Sequence, residues 1–123
     1  MRAILKDNKI PVEYLARNGV NLLNRLAVLR DVKTLYKTDA DGKKTDDVVG
    51  YRYDCIDVES FSTFSVKVES RKPVITQEAL ESSELPIYVE LPLEQVTIRP
   101  YSIEYGIAKV SICADFIKLH KED

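Results

Sequence analysis

Thr63-Phe64-Ser65-Val66-Lys67-Val68-Glu69 alternates without a break: Phe64, Val66 and Val68 fall on one side of an extended chain, Thr63, Ser65, Lys67 and Glu69 on the other. A period of two predicts a strand within Ser60 to Glu69 with one face in a core. The same signal recurs upstream. Leu26 to Lys37 is rich in Val, Leu, Thr and Tyr, with Val28, Arg30, Val32, Thr34 and Tyr36 sharing one parity. Val48 to Val58 sets Val49, Tyr51, Tyr53 and Cys55 against Arg52 and Asp54. Asp41-Gly42 between these runs is a turn dipeptide, because glycine enters positive φ without a Cβ clash, so the two form a hairpin.

Downstream, Thr76 is placed to cap a short helix over Gln77-Glu78-Ala79-Leu80-Glu81, broken by Ser82-Ser83. Ile87, Val89 and Leu91 then alternate with Tyr88 and Glu90, and past Pro92 the apolar parity slips to Val96 and Ile98, which marks a bulge or a break between strands. Ile107 to Leu119 reads as a last long strand with Ala108, Val110, Ile112, Ala114 and Phe116 on one side. Upstream, residues 1–11 read as a polar arm. From Val12 to Leu29, apolar residues at helical spacing compete with a turn at Asn18-Gly19 followed by a strand from near Leu22, and both readings stand.

Strand, strand, strand, short helix, strand, strand predicts a mainly β domain over residues 22–120, preceded by a 1–21 arm that is helical in one of the two readings. Closure into a small five- or six-stranded barrel hides the apolar faces without a helical layer. A single helix between the third and fourth strands is the order of the OB barrel, whose second and third strands form its binding face.

The chain has 123 residues, 45% apolar and 31% charged, which suits one domain with its own core. No apolar run approaches the roughly 20 residues of a membrane span, and the first 25 residues lack the apolar segment of a signal peptide, so no membrane and a cytoplasmic location are expected. Cys55 and Cys113 lie in apolar stretches far from any Cys-x-x-Cys spacing and read as buried free thiols. The formal net charge of -2 conceals asymmetry: residues 1–45 hold ten Lys/Arg against five Asp/Glu, residues 46–123 eight against fifteen. A local basic surface acts within about a Debye length whatever the total.

Several chemistries are disfavoured. The single histidine, His120, stands among charged residues near the C-terminus, which suits no triad. Glycines at 19, 42, 50 and 106 build neither a phosphate loop nor a dinucleotide loop. Lys37-Thr38-Asp39-Ala40-Asp41-Gly42 matches the middle of a calcium loop but has Lys37 at the first position and Val48 at the twelfth. Asp54, Asp57 and Glu59 are the carboxylates most able to cluster for acid-base work. No enzyme activity, metal or cofactor is expected.

Single-strand binding needs cations along the phosphates and rings for the bases. The candidates are Arg30, Lys33 and Lys37 on the first strand, Lys43 and Lys44 at the hairpin tip, Arg52 and Lys67 on the next two strands, Arg71 and Lys72 after them, and Arg99 with Tyr101. Tyr51 and Tyr53 share the core parity, whereas Tyr88 and Tyr101 oppose it.

The strand Leu29-Arg30-Asp31-Val32-Lys33, the Asp41-Gly42 turn, Gly50-Tyr51-Arg52-Tyr53-Asp54, Phe64-Ser65-Val66-Lys67-Val68, Tyr88-Val89-Glu90-Leu91 and Ala114-Asp115-Phe116-Ile117, spread over residues 22–119, resemble the YdcP-like family of small proteins carried by Gram-positive conjugative elements. The resemblance implies an accessory role in replication or transfer of a mobile element, some relatives being helicase processivity factors. It supplies no functional residues. Two functions are therefore expected: single-stranded DNA binding, with an element-encoded helicase or relaxase as possible partner, or protein interaction without nucleic-acid affinity through exposed strand edges.

Overall fold

The computed structural model describes residues 5–18 and 22–120. Strands dominate: β1 (Lys9–Pro11), β2 (Leu26–Thr38), β3 (Lys44–Asp57), β4 (Thr63–Val68), β5 (Ile87–Glu90), β6 (Val96–Glu104), β7 (Ile107–Ala114) and β8 (Lys118–Leu119), with helices α1 (Val12–Asn18) and α2 (Gln77–Ser82). The ladder runs β1-β7-β4-β3-β2-β5-β8, with β6 also on β7, and every pairing is antiparallel except β4 with β7.

Most expected elements are present. Phe64, Val66 and Val68 are buried on β4, and the β2–β3 hairpin turns at Gly42, whose φ is 79°. Thr76 caps α2, its Oγ1 accepting the Ala79 N–H at 3.1 Å. The alternative left open over residues 12–29 resolves as helix α1 followed by β2 from Leu26, the Gly19 position lying outside the described residues.

Three expectations change. The ladder is an open mixed sheet of eight strands rather than a hydrogen-bonded ring: β5 and β6 do not pair, because Pro92 and a single 3-10 turn at Leu93–Gln95 carry the chain from the edge of β2 to the edge of β7. The last long strand is two, β7 and β8, so Phe116 is 38% exposed while Ile117 is buried. Arg30 does not share a face with Val32, since the register jumps between Leu29 and Asp31; this bulge turns Arg30 outward and leaves Leu29 and Val32 both inside. The Val32 N–H, opposite α2, donates to Gln77 Oε1 at 2.7 Å, and Gln77 Nε2 donates to Asp31 Oδ1 at 3.1 Å.

The segment read as an arm is woven into the sheet. Leu5 and Ile10 are fully buried, and β1 pairs with β7. The contact between β4 and β7 is only two residue pairs long, Lys67 with Cys113 and Val68 with Ala114. Beyond it the strands splay, and Asn8 fills the gap. Its Nδ2 donates to the carbonyls of Ser65 and Val110, both at 3.2 Å; its Oδ1 accepts the Ser65 N–H at 2.6 Å; its carbonyl accepts the Val110 N–H at 2.9 Å. The side-chain amide thus acts as a peptide group inserted between two strands. Asn8 sits at φ 62°, a left-handed conformation that asparagine tolerates better than most residues.

Beneath the β3–β4 turn, Asp57 is buried and accepts from the backbone N–H groups of Asn24, Glu59 and Ser60 and from Asn24 Nδ2. Tyr53, also buried, takes the Val74 N–H on its hydroxyl at 3.0 Å and ties the loop after β4 to β3, while burial pushes its phenol pKa up.

Asn8→Ala orphans both Ser65 backbone groups and places alanine at positive φ, so equilibrium denaturation with urea is expected to show a loss of about 2–4 kcal/mol. Asn8→Gly, which relieves the backbone but not the lost hydrogen bonds, is expected to lose less. Equal stability of both variants and the wild type would dismiss the bridging role.

Candidate nucleic-acid interface

Residues directly paired across strands share a face. Lys33 on β2 pairs with Arg52 on β3, and Arg52 pairs with Lys67 on β4. Three cations from distant parts of the chain therefore stand in one row, about 10 Å long at the usual strand spacing. Their neighbours along the strands, Val32, Tyr53, Val66 and Val68, are buried, so the row faces out. Like charges placed directly opposite repel. Relief comes from the adjacent row, where Asp31 pairs with Asp54 and Asp54 with Ser65. Asp54 accepts from Ser65 Oγ at 2.6 Å and lies 3.7 Å from Lys33 Nζ. Arg52 Nε, shielded from solvent, is 3.2 Å from Asp54 Oδ1, an ion pair whose angle misses that of a hydrogen bond. Among the described residues, Lys67 has no ion pair.

A cleft of about 760 Å³ lies over this face, lined by Arg30, Lys33, Arg52, Lys67 and Tyr101 together with Asp7, Asn8, Asp31, Asp54, Thr63, Ser65 and Ser111. It opens above the splayed β4–β7 junction, so Asn8 is part of its wall. Tyr101 reaches it through a second bulge: the β6–β7 register slips between Pro100 and Ser102, leaving Tyr101 unpaired and 68% exposed. A second cleft of about 630 Å³ adjoins at Lys67, with Leu35, Val49, Thr97 and Cys113 in its walls and Glu69 and Asp115 as its carboxylates. Gly50 also lines it, at a position where a Cβ would collide with the Val68 carbonyl.

Of the eleven sequence candidates, Arg30, Lys33, Arg52, Lys67 and Tyr101 meet in the first cleft, and Arg99 lies beside it, directly opposite Ser111. Lys37, Lys43 and Lys44 lie away from it, on the ribbon formed by the ends of β2 and β3, where residues 37–47 hold three lysines and four aspartates. The Lys44 ammonium rests 4.4 Å from the centre of the Tyr36 ring, and Asp39 Oδ1 accepts the N–H groups of Asp41 and Lys43. Arg71 and Lys72 are exposed in the loop after β4, where their carbonyls accept from Tyr51 and Ser70. Asp54, Asp57 and Glu59 are not brought together: Asp54 faces the cleft, and Asp57 is enclosed beneath the β3–β4 turn. Sequence reading missed Asp7 and Asn8, whose only local signal is two consecutive turn-forming residues. No protein-family model matches the chain, and no curated protein and no solved structure matches it.

Both cysteines are free, but only Cys55 is buried; Cys113 is exposed because it shares the outward parity of β7 with Lys109 and Ser111, and it stands opposite Lys67. Burial, then the Asp54 charge, pushes the Cys55 thiol from 9.0 up to about 12. One of the two thiols is therefore expected to react with a disulfide reagent in the native protein, and mass spectrometry after digestion is expected to locate it at Cys113. The unfolded chain loses the Cys55 proton near pH 9 while the folded chain keeps it, so stability falls as pH rises from about 9 toward about 12. Cys55→Ala is expected to flatten that slope in urea titrations; an unchanged slope would contradict it.

Proposed function

We propose that the chain is a non-enzymatic accessory protein that binds single-stranded DNA on the outward face of an OB-like barrel, in the replication or conjugative transfer of a mobile element. The observation that carries the reading is the Lys33–Arg52–Lys67 row. Three cations held side by side on adjacent strands repel one another in the free protein, and a string of phosphates relieves that repulsion. Tyr101 adds a ring beside the row, the pairing of charge and stacking surface that single-strand binding uses.

The strand connections support the barrel. β5 and β6 are consecutive, the first pairing with β2 and the second with β7. Taken as two halves of one strand, they complete the circuit β2-β3-β4-β7-β6/β5-β2, with α2 between the third and fourth strands as in an OB fold. The mobile-element context rests on the YdcP-like resemblance alone.

A second reading, docking on an element-encoded helicase or relaxase, is favoured by the β6–β7 hairpin end. Tyr105 is fully exposed there at φ 52°, and Ile103 and Ile107 are 59% and 40% exposed.

Fluorescence anisotropy with labelled oligonucleotides tests the first reading. With four phosphate contacts the affinity is expected to fall about 50-fold between about 50 and about 200 mM salt, and Lys67→Glu to weaken binding at least about tenfold at the lower salt. Absent or salt-indifferent binding by a folded wild-type protein would leave the docking reading.

A further inference from the structure

Resting on that reading, we infer that the site has a second phosphate-binding row, Lys9 from the N-terminal segment and Lys109 from β7, so that its ligand is a single strand crossing from β2 to β7 toward Tyr101. Lys9 and Lys109 are direct partners in the β1–β7 ladder, and both are exposed. Their neighbours Ile10, Ala108 and Val110 are buried, which puts the two ammonium groups on the face that carries Ser111 and Cys113, hence the face of the cleft. Neither lysine has an ion pair among the described residues. Two unpaired like charges locked opposite each other weaken a ladder. Here they recur on the same face as the first row, and Tyr101, on the neighbouring strand β6, stands beside the second row because its bulge falls at the level of Val110 and Lys109.

The spacing defines the ligand. Lys67 stands opposite Cys113, four residues along β7 from Lys109, or about 13 Å at the strand rise. At about 3.4 Å per nucleotide of a stacked strand, that separation is about four nucleotides. A short oligonucleotide of about four nucleotides engages one row, and one of about twelve engages both, within the range of site sizes seen for single-strand-binding barrels. A nucleotide or an inorganic phosphate is too small to bridge them.

Anisotropy titrations of labelled oligothymidylates of these two lengths, with wild type, Lys9→Gln/Lys109→Gln and Lys67→Gln, test the inference. Wild type is expected to bind the long oligonucleotide at least about tenfold more tightly than the short one. The double variant is expected to lose most of that gain, keep its affinity for the short oligonucleotide, and show a salt slope lower by about 1.4, two contacts at about 0.7 each. Its thermal midpoint is expected to match or exceed that of wild type, since a repulsion has been removed. Lys109→Gln alone gives the same shift at half size and replaces the double variant should that melt early. If Lys67→Gln weakens binding while the Lys9/Lys109 variant leaves the slope and length dependence unchanged, the second row is overturned and the first stands. If folded wild type binds neither oligonucleotide, both fall.

Discussion

Two residue pairs hold the sheet together. The parallel contact of Lys67 with Cys113 and Val68 with Ala114 joins the β2–β3–β4 meander to the β6–β7 hairpin, and from it the strands diverge. Backbone groups along a divergence must find partners or lose several kcal/mol to desolvation. Asn8 supplies them with its side-chain amide and its carbonyl, and the buried Leu5 and Ile10 anchor the segment that carries it. The N-terminal segment is therefore structural material in the middle of the sheet.

The same divergence makes the cleft. Strands that stayed in ladder contact would present a flat face, whereas the splayed junction opens a hollow with Asn8, Ser65, Val110 and Ser111 around it. Two bulges then direct side chains toward that hollow: an extra residue in β2 turns Arg30 out, and an extra residue in β6 frees Tyr101 from pairing. The bulges thus add Arg30 and Tyr101 to a row of cations that regular pairing of β2, β3 and β4 sets in place.

Electrostatics on this face is a balance. Lys33 and Arg52 have Asp54 within ion-pair distance, the exposed Lys33 pair being of the kind that contributes little, and Lys67 has none among the described residues. Net charge says nothing of this arrangement. Of the fifteen acidic residues in the second half of the sequence only Asp54 lines the cleft, where four cations and three carboxylates meet.

Period-two alternation identified the main strands and the outward direction of Arg52 and Lys67, the Thr76 cap the helix between the third and fourth strands, and Asp41-Gly42 the hairpin turn, because apolar parity, caps and turn residues are local properties that survive any arrangement of the strands. Tertiary structure alone decided the rest. Arg30 escapes its apparent parity through a bulge that no local pattern announces. Cys113 looked buried by its neighbours and is exposed by its position on β7. Lys37, Lys43 and Lys44 looked like one basic run with Lys33, yet the ribbon carries them away from the cleft among aspartates. The row of Lys33, Arg52 and Lys67, and the insertion of Asn8 between β4 and β7, depend on register across 34 and 102 positions of chain. Register is set by which strands pair and where they slip, a long-range choice governed by burial of the whole core rather than by any residue's neighbours in sequence.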